Sequence, residues 1–215
     1  MSFVKLCRSL AVPAALGVLA LGAALAMPLS ARAHEGHSLD ATASGVKDEV
    51  LTWIKDAETK LIELAETTPE GKYSWRPAKG VRSTGEVFMH VAAANYGLPG
   101  FAGVKPPEGF DFATYEKSKT KKADIVSSLR ASFDHMEKGW GAMSNADLDK
   151  PAEFFGMKTT ARGAYLLLLS HCHEHLGQSI AYARSNGVVP PWTARQEAAM
   201  AKQKMEKGAA ASEGK

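Results

Sequence analysis

Apolar residues recur every three or four positions along four stretches of this chain, which is the spacing of helices with one buried face. The four stretches are 45–67, 83–98, 121–144 and 159–186. Residues that stop helices follow them, such as Pro99-Gly100 after the second stretch and Asn186-Gly187 after the fourth. No segment gives a convincing strand pattern. The chain therefore predicts an all-α fold, a four-helix bundle over residues 45–192.

The apolar stripes also predict which side chains form the core. The stripe of the first helix comprises Val46, Val50, Trp53, Ile54, Ala57, Leu61, Leu64 and Ala65. That of the third comprises Ile125, Leu129, Phe133, Met136, Trp140 and Met143. In the second helix, Ser83 and Glu86 have capping-box spacing, and the stripe through Glu86, His90, Ala93, Ala94 and Gly97 is predicted to face inward.

The connecting segments differ in composition. Residues 100–117 are rich in glycine, proline and aromatic residues, and we interpret them as a lid over the end of the core. The alternative is that they line a pocket. Residues 145–158 are predicted to form a second loop. After the bundle, residues 193–207 predict a charged helix, and 208–215 predict a disordered tail.

The N-terminus has the features of a secretory signal peptide. Residues 1–33 contain Lys5 and Arg8, then an apolar run, then an Ala31-Arg32-Ala33 cleavage site. We therefore expect an exported protein, periplasmic or extracellular, with no stable membrane span after cleavage. The alternative is an uncleaved membrane anchor, because the apolar run is nearly long enough to cross a bilayer. Residues 34–44 are polar and predict a disordered lead-in.

Loss of this leader changes the charge balance. Lys5, Arg8 and Arg32 are three of the 26 Lys and Arg residues, so those that remain balance the 23 Asp and Glu residues. Nucleic-acid binding usually requires a basic surface patch. Because the remaining charges balance, we expect no nucleic-acid partner. Cys172 is the one cysteine outside the leader, so no internal disulfide can form.

Two histidines of the fourth helix are candidate metal ligands. His171 and His175 are four residues apart, so they lie one turn from each other on the same face. Two imidazoles at this spacing can bind one metal ion. The alternative is a pair of histidines satisfied by hydrogen bonds at the edge of the core. His173 points to the opposite side of the helix and is not grouped with them.

A third ligand would favour the metal site, and His90 of the second helix is the candidate. Its neighbours on that helix are small, so another helix can approach closely. Three neutral imidazoles suit Zn, Ni or Fe(II) and leave positions open. An ion held in this way lowers the pKa of a bound water or thiol. Glu86, one turn before His90, is a candidate base as well as a cap.

Two segments resemble the DinB-like family. Arg82-Ser83-Thr84-Gly85-Glu86-Val87-Phe88-Met89-His90-Val91-Ala92, followed by Ala94-Asn95-Tyr96, is similar to its second helix. The fourth helix is matched by His171-x3-His175-Leu176-Gly177-Gln178, then Tyr182-x-Arg184-x-x-Gly187 and Pro190-Pro191. The resemblance covers residues 46–192. It implies a four-helix bundle with a divalent metal ion held by His90, His171 and His175, Asn95 and Tyr96 along a pocket, and a supporting or packing role for Gln178.

The resemblance also implies an activity. Characterised relatives include thiol-S-transferases that use bacillithiol or mycothiol and a thiol-dependent maleylpyruvate isomerase. A metal-dependent transferase or hydrolase acting on a small molecule is therefore expected, and a homodimer is allowed. The alternative is a non-catalytic metal-binding envelope protein, and a third hypothesis makes Cys172 a nucleophile. The chain departs from the family in its leader and in Leu176, where Arg or Lys is common.

Overall fold

The computed structural model describes residues 45–213, and it describes side-chain burial as far as residue 208. The predicted leader and lead-in lie outside this range. Within it the helices are α1 (Val46–Thr67), α2 (Thr84–Gly97), α3 (Phe112–Tyr115), α4 (Lys122–Ala142), α5 (Asn145–Leu148), α6 (Ala161–Ser185) and α7 (Pro191–Glu213). Two 3₁₀ turns, Glu70–Lys72 and Leu98–Ala102, and one hairpin, β1 (Pro151–Phe154) with β2 (Met157–Thr160), complete the fold.

The helices α1, α2, α4 and α6 occupy the four stretches that the periodicity predicts, so the helical architecture is confirmed. They pack around one core in which α2 contacts α4 and α6, and α1 contacts the same two helices. The largest fully buried side chains come from all four of these helices and include Trp140, Tyr165, Phe88 and Ile54. In α1 the predicted stripe is buried except for Val46 and Trp53, and Trp53 is 49% exposed. Ile62 is buried as well.

The helix α2 corrects one prediction about the site. The predicted inner stripe is Glu86, His90, Ala93, Ala94 and Gly97. Ala93 and Ala94 are buried, but Glu86, His90 and Gly97 are the least buried positions of the helix. Apolar residues cover the rest of the helix circumference, as in a helix at the centre of a bundle. His90 therefore lies at the rim of the core, where solvent has access.

The expectation of no strand is wrong for residues 151–160. These residues form an antiparallel hairpin in which Pro151 pairs with Thr160 and Phe154 with Met157. The turn residues Phe155 and Gly156 have φ values of 47° and 81°, as a two-residue hairpin requires. The sequence lacks the Asn-Gly or Asp-Gly pair that usually marks such a turn, and Phe155 is 79% exposed. The short helix α5 lies in the same predicted loop.

The C-terminal helix is longer than the pattern predicts. It begins at Pro191 and continues through Gly208 to Glu213, whereas the charge pattern places it at 193–207. It packs on α1, and Arg195 pairs with Glu63 there at 2.9 Å. Among the helices of residues 45–213, none combines the length and apolar character needed to cross a membrane.

Candidate metal centre

Three histidine side chains meet where α2 crosses α6. His90 comes from α2, and His171 and His175 come from successive turns of α6. One ring nitrogen of each lies within 4.8 Å of the others, and in residues 45–213 no other group of three His, Cys, Asp or Glu side chains converges in this way. The Nε2 atoms of His90 and His171 are 3.1 Å apart. The structure thus brings together all three residues predicted as metal ligands.

A carboxylate orients His90 from outside the cluster. Glu116, directly after α3, lies with Oε2 3.0 Å from His90 Nδ1, and its other oxygen accepts a hydrogen bond from Arg82 Nε at 2.8 Å. A carboxylate paired with an arginine is ionised and can only accept, so His90 Nδ1 carries the proton. The lone pair of His90 Nε2 then faces the cluster.

His175 is oriented in the same way by its own helix. Its Nδ1 lies 2.8 Å from Gln178 Oε1, while Gln178 Nε2 donates to the Tyr182 hydroxyl at 3.1 Å. The amide oxygen accepts only, so His175 Nδ1 donates and the Nε2 lone pair is left free. Gln178 thus contacts His175 through a hydrogen bond, which fits the supporting role better than packing alone. Such hydrogen bonds on the remote nitrogen are usual for histidine ligands of metal ions.

His171 differs from the other two. Its Nδ1 is buried and has no hydrogen-bond partner among the residues described. A proton on His171 Nε2 can be donated to only one of the two lone pairs contributed by His90 and His175. A cation between the rings would accept all three lone pairs, so the donor set fits a metal ion.

The electrostatics keep the imidazoles of His171 and His90 neutral, which is the form that binds metal. Burial lowers the pKa of His171 to about 3, helped by His175, His90 and Arg82. Burial also lowers the pKa of His90, with Arg82 and His175 acting in the same direction and Glu116 opposing them. Near neutral pH neither ring has to lose a proton before a metal ion binds.

Glu86, the candidate base, is held in a capping box. Its carboxylate accepts from the Ser83 backbone N–H at 2.7 Å, and the Ser83 hydroxyl accepts from the Glu86 N–H at 3.2 Å. Arg76 pairs with the same carboxylate oxygen at 3.2 Å. The backbone hydrogen bond from Ser83 is the main cause that lowers the pKa of Glu86. The capping prediction is confirmed, and a catalytic role for Glu86 stays a prediction.

The remaining candidates lie away from the cluster. Cys172 is fully buried, and burial raises its pKa to about 12, so it is a poor nucleophile. Its thiol faces Asn95 Oδ1 at 3.6 Å, and Asn95 donates to Ser132, so Asn95 belongs to the buried core. His173 is exposed on the other side of α6, as predicted.

Sequence reasoning missed Glu116 and assigned no role to Arg82. Glu116 is 26 residues from His90 along the chain and lies in the aromatic loop, where no periodicity links it to a helix face. The loop reaches α2 through its aromatic residues: Tyr115 meets Tyr96 edge-on at a centroid distance of 5.6 Å. The interpretation of this loop as a cover is supported, because Tyr115 and Phe101 pack against the core.

Comparison with known proteins identifies the family. Residues 53–179 match the sequence profile described as the DinB superfamily. The chain belongs to that superfamily. The match contains all three histidines of the cluster as well as Glu116 and Gln178. Among curated proteins, none matches the chain.

Solved structures of DinB-like proteins share the fold. A DinB-like protein from Bacillus cereus is 20% identical with a TM-score of 0.60, covering 68% of this chain and 95% of its own. YfiT from Bacillus subtilis, described as a probable metal-dependent hydrolase with an unusual four-helix bundle topology, is 12% identical with a TM-score of 0.56 over 71% and 94% of the two chains. A mycothiol-dependent maleylpyruvate isomerase is 13% identical with a TM-score of 0.50, and the match covers 60% of this chain and 59% of the isomerase.

Proposed function

We propose that this DinB protein binds one divalent metal ion, Zn, Ni or Fe, through His90, His171 and His175 and is a metal-dependent transferase or hydrolase. The observation that carries the proposal is the meeting of three ring nitrogens within 4.8 Å. Two of the imidazoles are already oriented for binding by Glu116 and Gln178. The description of YfiT as a probable metal-dependent hydrolase agrees with this function.

The surroundings suit a small substrate that arrives from solvent. The His90 side chain retains 15% of its exposure, so the cluster is at the rim of the bundle rather than sealed in the core. When bound, the metal ion would supply Lewis-acid chemistry that lowers the pKa of a water or thiol and polarises a carbonyl group. The protein itself would hold His90 and His171 neutral and would fix His90 and His175 through Glu116 and Gln178. Glu86 is retained as a candidate base.

A non-catalytic metal-binding protein is the second candidate, and one observation favours it. The carboxylate that contacts His90 and the candidate base are both engaged. Glu116 pairs with His90 and Arg82, while Glu86 pairs with Ser83 and Arg76. Neither is a free base. For either function we propose that the protein acts outside the cytoplasm, on the basis of the leader-like residues 1–33.

Metal content of the protein purified after expression of the full chain tests the proposal. We expect about one equivalent of metal per chain in the wild type and none in His171→Ala. The matched control is His173→Ala, which removes an exposed imidazole two residues away on the same helix and should keep the metal. Equal metal in all three proteins, or none in the wild type after reconstitution, would refute the site.

Substrate screening then separates the two functions. Ester hydrolysis and thiol transfer are measured on the metal-loaded protein with and without a chelator. Turnover that the chelator abolishes, and that His171→Ala lacks, supports the enzyme. A stable metal complex with no turnover in either reaction class supports the metal-binding alternative.

A further inference from the structure

The aromatic loop between α2 and α4 delivers one charged side chain to the histidine cluster. Glu116 comes directly after α3, the short helix that packs against α2. Its side chain is 19% exposed, although it belongs to a surface loop. Its two oxygens have different partners, since Oε2 contacts His90 Nδ1 and Oε1 accepts from Arg82.

The loop is fixed along the same face of α2 that carries His90. Gly97 lies two turns after His90, and a Cβ at Gly97 would approach the Phe112 ring to 2.7 Å. Phe112 thus needs a glycine at that position in order to pack. The Tyr96 ring packs against the rings of Phe110 and Tyr115, with a centroid distance of 5.6 Å in each pair. These contacts hold the loop so that Glu116 lies over His90.

A purely structural ion pair would not explain this arrangement fully. Arg82 alone would satisfy one carboxylate oxygen at the surface, where such pairs contribute little. The second oxygen instead determines which nitrogen of His90 carries a proton. A carboxylate on the remote nitrogen of a histidine fixes the ring and raises its basicity as a ligand.

We propose that Glu116 is a positioning residue of the metal centre: it fixes His90 with the proton on Nδ1 and Nε2 toward the metal, and Arg82 holds Glu116 in place. The proposal rests on the proposed function and deepens it, because it makes the site depend on the aromatic loop as well as on α2 and α6. Without Glu116 the His90 proton is free to move to Nε2, where His171 Nε2 is 3.1 Å away. The competing proton weakens metal binding.

The first test measures Zn²⁺ affinity by competition with a chromophoric chelator, using protein from the full chain. Loss of such a partner typically costs 10–100-fold in affinity, so Glu116→Ala should weaken Zn²⁺ binding by about that factor. Glu116→Gln should lose less, about 10-fold or below, because the amide oxygen still accepts from Nδ1. Glu108→Gln is the matched control, an exposed carboxylate in the same loop, and should bind as the wild type does.

The second test does not need metal. Long-range ¹H–¹⁵N spectra of the metal-free protein report which nitrogen of His90 is protonated. We expect the Nδ1–H form in the wild type and in Glu108→Gln, and a mixture with Nε2–H in Glu116→Ala. Circular dichroism establishes that each variant is folded, and the isosteric Glu116→Gln serves if the alanine variant is not.

The outcomes distinguish this inference from the proposed function. A wild type that binds Zn²⁺, with Glu116→Ala and Glu116→Gln equally tight, overturns the role of Glu116 and leaves the three-histidine site intact. A wild type that binds no Zn²⁺ refutes the proposed function, and the spectra alone then decide whether Glu116 fixes His90. An Nε2–H form of His90 in the wild type overturns the inference in either case.

Discussion

Two contacts between bundle helices each bring together several ionisable side chains of one type. One contact gathers histidines and the other gathers carboxylates. At the α2–α6 contact three histidines meet, and partners outside the cluster hold two of them. At the α1–α4 contact Glu58 of α1 faces Glu137 and Asp134 of α4, with Lys55 as the nearby cation. Burial, then a hydrogen bond with Glu137 and the charges of Glu137 and Asp134, raise the pKa of Glu58 to about 7.

The difference lies in what each contact lacks. The ring nitrogens of the three histidines converge, so a metal ion is the species that would satisfy their lone pairs. The carboxylates are crowded anions, and one oxygen of Glu137 is buried with no donor among residues 45–213. A proton on Glu58 would supply that donor. Under the proposed function, local hydrogen bonds prepare the α2–α6 contact for a metal ion, whereas a proton relieves the α1–α4 contact.

The largest effect should come from adding metal to the histidine contact. At a free metal concentration 100 times the dissociation constant, binding adds about 2.7 kcal/mol to the free energy of unfolding. We expect Zn²⁺ to raise the thermal midpoint of the metal-free wild type and of Glu58→Gln equally. His171→Ala should show no increase. An equal increase in His171→Ala would mean that metal stabilises the protein elsewhere.

The carboxylate contact should respond to pH instead. Because the pKa of Glu58 is higher in the folded protein than its usual 4.5, folding favours the protonated form. Its contribution to stability is full below about pH 4.5 and is lost as the pH rises through about 7. Glu58→Gln should therefore be more stable than the wild type at pH 8, by about 1 kcal/mol after allowance for solvent screening.

Urea unfolding at pH 4.5 and pH 8 measures this difference. The two proteins should differ little at pH 4.5, where Glu58 is already protonated in the folded state. Glu197→Gln is the matched control, because Glu197 is an exposed carboxylate on α7. If Glu58→Gln and Glu197→Gln change stability alike at both pH values, the crowding of the α1–α4 contact has no energetic consequence.

The sequence predicts features that depend on contacts between residues close together along the chain. The four bundle helices come from periodicity within each segment, and the Ser83–Glu86 cap and the Asn186-Gly187 end come from neighbouring residues. His171 and His175 share one helix, so spacing alone places them together. Each of these predictions needs only contacts within one or two turns.

What the sequence did not predict depends on packing between segments. The meeting of His90 with the α6 pair was implied by the family resemblance, while spacing left it open. Glu116 lies in a loop without periodicity, and the packing of that loop on α2, at Gly97 and at Tyr96, brings it to His90. The hairpin at 151–160 was missed because Phe155 occupies a turn position with positive φ that usually belongs to Asn or Asp.

The smallest effect tests Glu86, which caps α2 and whose catalytic role stays a prediction. Glu86→Gln weakens the capping box of α2 and the contact with Arg76, and it should lower the free energy of unfolding by about 0.5–1 kcal/mol. Ser83→Ala is the matched control, since it removes the other half of the same capping box at a cost of about 1 kcal/mol. Both variants should keep the metal. Should Glu86→Gln alone lose a chelator-sensitive turnover that Ser83→Ala retains, the carboxylate acts in the chemistry, because weakening of the helix cap is common to both variants.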